Sequence, residues 1–425
     1  MSLVIKNAII VNPDRISRQP QDIFIDKGLI AKISSSVKTD KAKIVDAKDK
    51  LVLPGLIDMH VHFREPGQEH KETIESGMKS AAKGGFTTVM CMPNTRPVID
   101  NRSIAALVLS EAKRVGLINV FPVGAITKGL NNEELTDMFE LKEAGCAALS
   151  DDGKCVTNSQ LMRLAMEYAQ MVGILLIQHC EDHLLSAGSV MNEGINSTLL
   201  GLKGDPGLSE SVIVARDIEL AGYLDSRIHF AHMSLKRSVE LIRAAKARGI
   251  KVTAEACPHH FTLTDDELKN FNTCAKVNPP LRTKEDIEAI KVALQEGTID
   301  CIATDHAPHT QEDKEVDLDH APCGMVGLET ALGLVVTELV LPKILSWPQV
   351  AERMAAMPAK IMGLTTKGII AEGLDGDLTI IDPSARWTVR AEDFVSKSQN
   401  SPFIGRELTG RVSATICGGR VVYQH

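Results

Sequence analysis

Eight times between Leu56 and Thr366 the chain repeats one local pattern, a short run rich in β-branched and apolar residues followed by a polar or amphipathic stretch. The runs are GLIDMHVH (55–62), FTTVMCMPN (86–94), INVFPVGAI (118–126), CAALSDD (146–152), GILLIQHCE (173–181), RIHFAHMS (227–234), KVTAEAC (251–257) and DCIATDHA (300–307). Stretches such as SQLMRLAMEYAQMVG and SVELIRAAKARG, apolar at helical spacing, separate several of them. Such alternation is the signature of parallel strands joined by helical crossovers. Eight of these strands close a barrel, which as one unit occupies about 250 residues. An open doubly wound sheet, the alternative, wants a glycine-rich phosphate loop after its first strand, and GLIDMHVHFREPG is not one. Both ends of the chain also read as short strands: VIKNAIIV, DIFIDKGLIAKIS and LVLPG at the start, LTIID, WTVR and VSATICGGRVVY at the finish. Neither end alone makes a sheet of useful size. The expectation is an α/β protein, a (β/α)8 TIM barrel over 54–366 with a small β-sandwich domain built from 1–53 and 367–425.

Five of the eight runs end in residues able to bind metal: His60 and His62, then Asp152, His179, His232 and Asp305. In a closed parallel barrel all those ends meet at one face, where barrel enzymes place their active sites. Polar side chains crowded there are costly to desolvate without a cation or partners. His60 and His62 lie two apart, so on a strand both rings share one side, as a chelating pair requires, and Val61 between them packs outward. The same parity, with His232 facing inward, sends His229 toward the helices and sets Cys180 aside next to His179. At the fourth strand, parity does not decide between Asp151 and Asp152.

A net charge of −8 argues against a nucleic-acid binder, although local arginines still allow a small anionic substrate. The start MSLVIKNAIIVNPD has neither a basic leader region nor a long apolar core, and Val335 to Leu345 is interrupted by Glu338, Pro342 and Lys343. A cytoplasmic protein without membrane contact is expected. The nine cysteines, without a C-x-x-C pair, read as reduced core thiols.

The stretches GLIDMHVHFREPG, CMPNT, SDDG, HCED, FAHMS, CPHHF, NPPLR and IATDHAPH, in order along essentially the whole chain, resemble the motif series of the dihydroorotases, a family of the amidohydrolase superfamily. The resemblance implies a barrel holding one or two divalent metals. His60, His62 and Asp305 would bind the first, His179 and His232 the second, and Asp152 would bridge them. Many relatives bridge with a carbamylated lysine; CAALSDD has none, so assembly of the site should not depend on carbon dioxide. Imidazole and carboxylate donors suit zinc best, with manganese, cobalt or nickel acceptable. Two cations would bring the pKa of a bound water toward ~7. A single metal, as in related deaminases, is the alternative.

Dihydroorotate carries a ring carboxylate, and a buried carboxylate calls for a planar, charge-assisted donor. Arg64, two residues after His62, supplies it. Allantoinases and hydantoinases act on rings without that group, which makes HFREPG favour dihydroorotase over them. The resemblance adds Asn94, Asn278 and His309 to the substrate pocket, with backbone groups near Cys323 and Gly324. Residues 310–324 are read either as a lid over the substrate or as a solvated loop. The implied reaction is the reversible closure of N-carbamoyl-L-aspartate to L-dihydroorotate in pyrimidine biosynthesis, with Asp305 carrying the proton. A homodimer is the expected assembly, and the resemblance leaves open a complex with aspartate transcarbamoylase. A catalytically dead subunit of that complex would lack ligands, and all six are present.

Overall fold

A computed structural model describes residues 2–38 and 42–425. All eight runs form strands: Leu56–Val61, Phe86–Cys91, Asn119–Gly124, Ala148–Ser150, Leu175–Gln178, Ile228–Phe230, Val252–Ala256 and Cys301–Ile302. They pair in parallel in sequence order. The ring closes through a parallel bridge between Val61 and His306, where the His62 N–H donates to the His306 carbonyl at 2.8 Å.

Local signals in the sequence set the crossover helices. Thr73 and Thr283 form capping boxes on Ile74–Lys83 and Lys284–Glu296. Asn101 and Asn158 cap Arg102–Val115 and Ser159–Val172, which end on left-handed Gly116 and Gly173. The barrel interior is filled by Ile57, Met59, Met90, Val123, Ala148, Leu175, Ile177 and Cys301. Ala359 and Ile361, from the helix Met357–Met362, join this cluster and plug the end where the strands begin. Arg227, just before the sixth strand, donates to the Ile361 carbonyl there. The opposite mouth is left for polar groups.

Both chain ends build one mixed sheet of nine strands among the described residues. The N-terminal strand Leu3–Asn12 pairs with Leu51–Pro54, which pairs in turn with Leu378–Thr388 from the other end of the chain. LTIID and the first two residues of WTVR are parts of that single long strand, and DIFIDKGLIAKIS is a hairpin of Gln21–Asp26 with Leu29–Ser34. Its apolar face packs on Ile5, Ile23, Ile25, Val52, Ile380 and Ile416. Among the described residues no helix is long and apolar enough to cross a membrane.

Candidate active site

The first strand delivers its two histidines through a bulge. From the pair Asp58–Val89 to the pair Val61–Cys91 the first strand advances three residues while its neighbour advances two. Met59 therefore packs inside the barrel and Val61 in the outer helix layer, while His60 and His62 both turn to the open mouth. His60 Nε2 lies 3.6 Å and His62 Nε2 3.0 Å from Asp305 Oδ1. Asp152 stands between the histidines: Oδ2 lies 3.5 Å from His62 Nε2, and Oδ1 lies 3.2 Å from His60 Nε2 and 3.7 Å from both His179 Nδ1 and His232 Nε2. His179 Nδ1 and His232 Nε2 are themselves 2.9 Å apart. All six expected ligands thus converge.

Asp151 is placed elsewhere. Its Oδ1 accepts the backbone N–H groups of Ile126 and Thr127, and its Oδ2 the Thr127 hydroxyl. Parity failed at the sixth strand. His229 also faces inward, because the strand ends at Phe230 and His232 takes a left-handed φ of 35° that swings its ring to the same side. Arg64 and Asp305 share this unfavourable backbone region, with φ of 61° and 49°. Non-glycine residues held there cluster at functional sites.

The donor set fits cations. Among the described residues His60 Nε2 and Asp152 Oδ1 are buried without a hydrogen-bond partner, a costly state that a positive ion between them would relieve. Burial alone would push His60 down and Asp152 up. Their mutual attraction, strengthened by the surrounding imidazoles and Asp305, instead holds His60 well above and Asp152 well below their ordinary values. Burial likewise opposes charge on His179, but Asp152 and Glu181 raise it to about 10. These carboxylates favour a positive charge on His60 and His179, the charge that a bound metal would supply.

Behind the ligands stands a layer of carboxylates that sequence reasoning missed. Glu255, fully buried on the seventh strand, accepts from His60 Nδ1 at 2.8 Å and His229 Nε2 at 3.1 Å, and His229 Nδ1 meets the Thr253 hydroxyl at 2.8 Å. Glu181 takes His179 Nε2 at 3.0 Å and Asn278 Nδ2 at 2.8 Å. Asp58 accepts from the His60 and Thr304 backbone, and burial raises it to about 7. A charged residue inside an otherwise apolar run was the available signal for Asp58 and Glu255.

Above the cluster opens a cavity of about 190 Å³ lined by His62, Arg64, Asn94, Asp152, His179 and Asn278, with Cys323 and Gly324 on the far wall. Asn94 spans two ligands, its Oδ1 2.9 Å from His62 Nδ1 and its Nδ2 donating to Asp152 Oδ2 at 3.3 Å. The Arg64 guanidinium is buried and donates through Nε to the Pro308 carbonyl at 3.1 Å; among the described residues Nη1 has no protein acceptor. His309 Nδ1 accepts from Lys71, so its Nε2–H donates to the Cys323 carbonyl at 2.9 Å. Burial and the nearby Arg64 charge push His309 down to about 2 and keep it neutral.

Two buried lysines pin the segment 310–324. Lys314 Nζ donates to the carbonyls of Thr273 and Pro322, and Lys276 Nζ to that of Leu318. Gly324 has its N–H on Lys276 O and its carbonyl on Asn400 Nδ2, so what glycine contributes is room: at φ 132° an added Cβ would sit 2.7 Å from Ala307 Cβ. Asn400, ahead of the C-terminal strand Glu407–Cys417, also accepts the His309 N–H and donates to Ala307 O.

Residues 49–238 match the family described as dihydro-orotase-like, and residues 241–423 the amidohydrolase family. The chain is 53% identical to a dihydroorotase of Pelotomaculum thermopropionicum, over 100% of this chain and 99% of that one. It is 50% identical to a dihydroorotase of Geobacter metallireducens over the whole of both. Among solved structures it is similar to an L-hydantoinase from Arthrobacter aurescens, with a TM-score of 0.88, 27% identity and coverage of 99% of this chain and 96% of that one. With full-length identity near one half to dihydroorotases, the chain belongs to the dihydroorotase family, metal-dependent cyclic amide hydrolases of the amidohydrolase superfamily.

Proposed function

We propose that this chain catalyses the reversible closure of N-carbamoyl-L-aspartate to L-dihydroorotate in pyrimidine biosynthesis, with two zinc ions held by His60, His62, Asp152, His179, His232 and Asp305. The observation that carries the reading is a buried arginine, Arg64, on the wall of the same cavity whose floor is the six-donor cluster. A guanidinium at that place gives a ring carboxylate its charge-assisted partner. The fold likeness to hydantoinases supports a second reading, but a ring without a carboxylate would leave the Arg64 charge buried and unmatched.

The placement of Asp152 between the two histidine pairs, within 3.5 Å of His60 and His62 on one side and 3.7 Å of His179 and His232 on the other, supports a bridging role and a count of two. When bound, the ions supply Lewis acidity and a water acidic enough to attack at neutral pH. The chain's own residues do the rest. Arg64 and Asn94 orient the substrate, His309 and Asn278 complete the wall, and Asp305 accepts the proton of the attacking water and returns it to the ring nitrogen. Residues 1–53 and 367–425 act as one accessory domain, and the assembly is a cytoplasmic homodimer able to join aspartate transcarbamoylase.

Protein stripped by chelator should regain dihydroorotate hydrolysis with zinc alone, at two zinc per chain by elemental analysis. A strict bicarbonate requirement, or full activity at one zinc, would overturn the bridging assignment. Faster turnover of hydantoin or dihydrouracil than of dihydroorotate would overturn the substrate.

A further inference from the structure

Immediately after the seventh barrel strand, Cys257 and the tight turn Pro258–Phe261 that it leads into bury three potential metal ligands within four residues. Cys257, His259 and His260 are each 3% exposed or less. Each offers a donor atom, and the three donors lie within 4.8 Å of one another. A point therefore exists within about 2.8 Å of all three, and small side-chain adjustments reach the zinc distances of about 2.0–2.3 Å.

Two of the imidazole nitrogens are unsatisfied. His260 donates its Nε2–H to the Pro279 carbonyl at 2.9 Å, which leaves Nδ1 as its lone-pair nitrogen, and that atom is buried without a partner among the described residues. His259 Nε2 is in the same state. Leaving a buried polar atom unpaired is costly, and here two adjacent residues carry the penalty. A second cluster, His229, Glu255 and Cys301, is as compact, but His229 and Glu255 are already satisfied by each other, by Thr253 and by His60. Burial drives both His259 and His260 to the neutral, lone-pair form that a metal requires.

We propose that Cys257, His259 and His260 form a further metal site, distinct from the six-donor cluster, for a thiophilic cation such as zinc. The Cys257 thiol gives up its proton to solvent when the cation binds, so the ligand set is two neutral imidazoles and one thiolate. Sulfur separates this site from the catalytic one, whose expected donors are only nitrogen and oxygen. The inference therefore stands whether that cluster holds one ion or two.

Zinc-edge X-ray absorption of the intact protein with excess zinc tests it. Expected is a sulfur scatterer near ~2.3 Å in the wild type and in Cys301→Ser, and its disappearance in Cys257→Ser. Elemental analysis should show Cys257→Ser binding one zinc fewer than wild type, with dihydroorotate hydrolysis as a separate readout of the catalytic cluster. If Cys257→Ser fails to fold, His260→Asn should lower the sulfur amplitude in the same way. No sulfur at zinc in the wild type, or sulfur that persists in Cys257→Ser, would overturn the site.

Discussion

Glu255 Oε1 lies 2.8 Å from His60 Nδ1, on the side of the ring away from the cavity. The contact fixes the proton on Nδ1 and leaves the Nε2 lone pair aimed at Asp152 and Asp305. Carboxylates that orient a ligating imidazole in this way are worth roughly 10–100-fold in metal affinity. Glu255→Gln keeps the volume and removes the charge. It should fold and weaken zinc by that factor in competition with a chelator, while hydrolysis recovers at saturating zinc. Unchanged zinc affinity would reduce Glu255 to a packing residue.

Arg64→Met removes the guanidinium and keeps much of the apolar stem. Hydrogen bonds to a charged group contribute about 1.5–3 kcal/mol, or roughly ten- to a hundredfold in affinity. The KM for dihydroorotate should rise by that factor with zinc content unchanged. Hydrolysis of an uncharged ring such as dihydrouracil should not fall in parallel. Equal losses on both rings would mean that Arg64 supports the 308–309 backbone through Pro308 and does not read the carboxylate.

How far the sequence carried the reading follows from what each residue depends on. The barrel was legible because every strand advertises itself locally, and the ligands because they sit at strand ends. His229 was misjudged because counting by twos assumes an extended chain, and extension stops at Phe230. Glu255 was missed because its partner His60 lies 195 residues away, and only closure of the barrel brings the two together. The same holds for Asn400, which lies 91 residues from the His309 backbone N–H that it accepts. Asp151 and Asp152 separated only once the loop carrying Ile126 and Thr127 was in place to claim Asp151.

Burial holds His259 down to about 4, against an ordinary value of about 6.5. Because the folded value is the lower one, the unfolded chain takes the proton first as pH falls. The contribution of His259 is therefore complete above about 6.5 and is lost progressively down to about 4. The difference is worth ~3 kcal/mol at most. In metal-free protein, urea unfolding of wild type minus that of His259→Gln should show this slope between pH 6.5 and 4 and none above. Parallel curves across that window would mean that His259 is solvated in solution.

Asp305 has two roles to separate, metal ligand and proton carrier. Its Oδ1 stands 3.0 Å from His62 Nε2 and 3.6 Å from His60 Nε2, on a residue held at a left-handed φ of 49° and lining the cavity. Burial alone would raise its carboxyl, but the His62 contact and the neighbouring imidazoles hold it ionised, the state a base must start from. Asn keeps the shape and still offers an oxygen, yet cannot take and return a proton. Asp305→Asn should fold, keep most of its zinc, bind dihydroorotate, and lose at least ~10²–10⁴-fold in turnover, the usual contribution of such a group. The loss should be equal in both directions, since the base of hydrolysis is the acid of ring closure. Ring closure consumes one proton, so the ring-to-open ratio at equilibrium should rise tenfold per pH unit toward acid for wild type and variant alike. A zinc-replete Asp305→Asn protein with near-normal turnover would move the proton to another carrier.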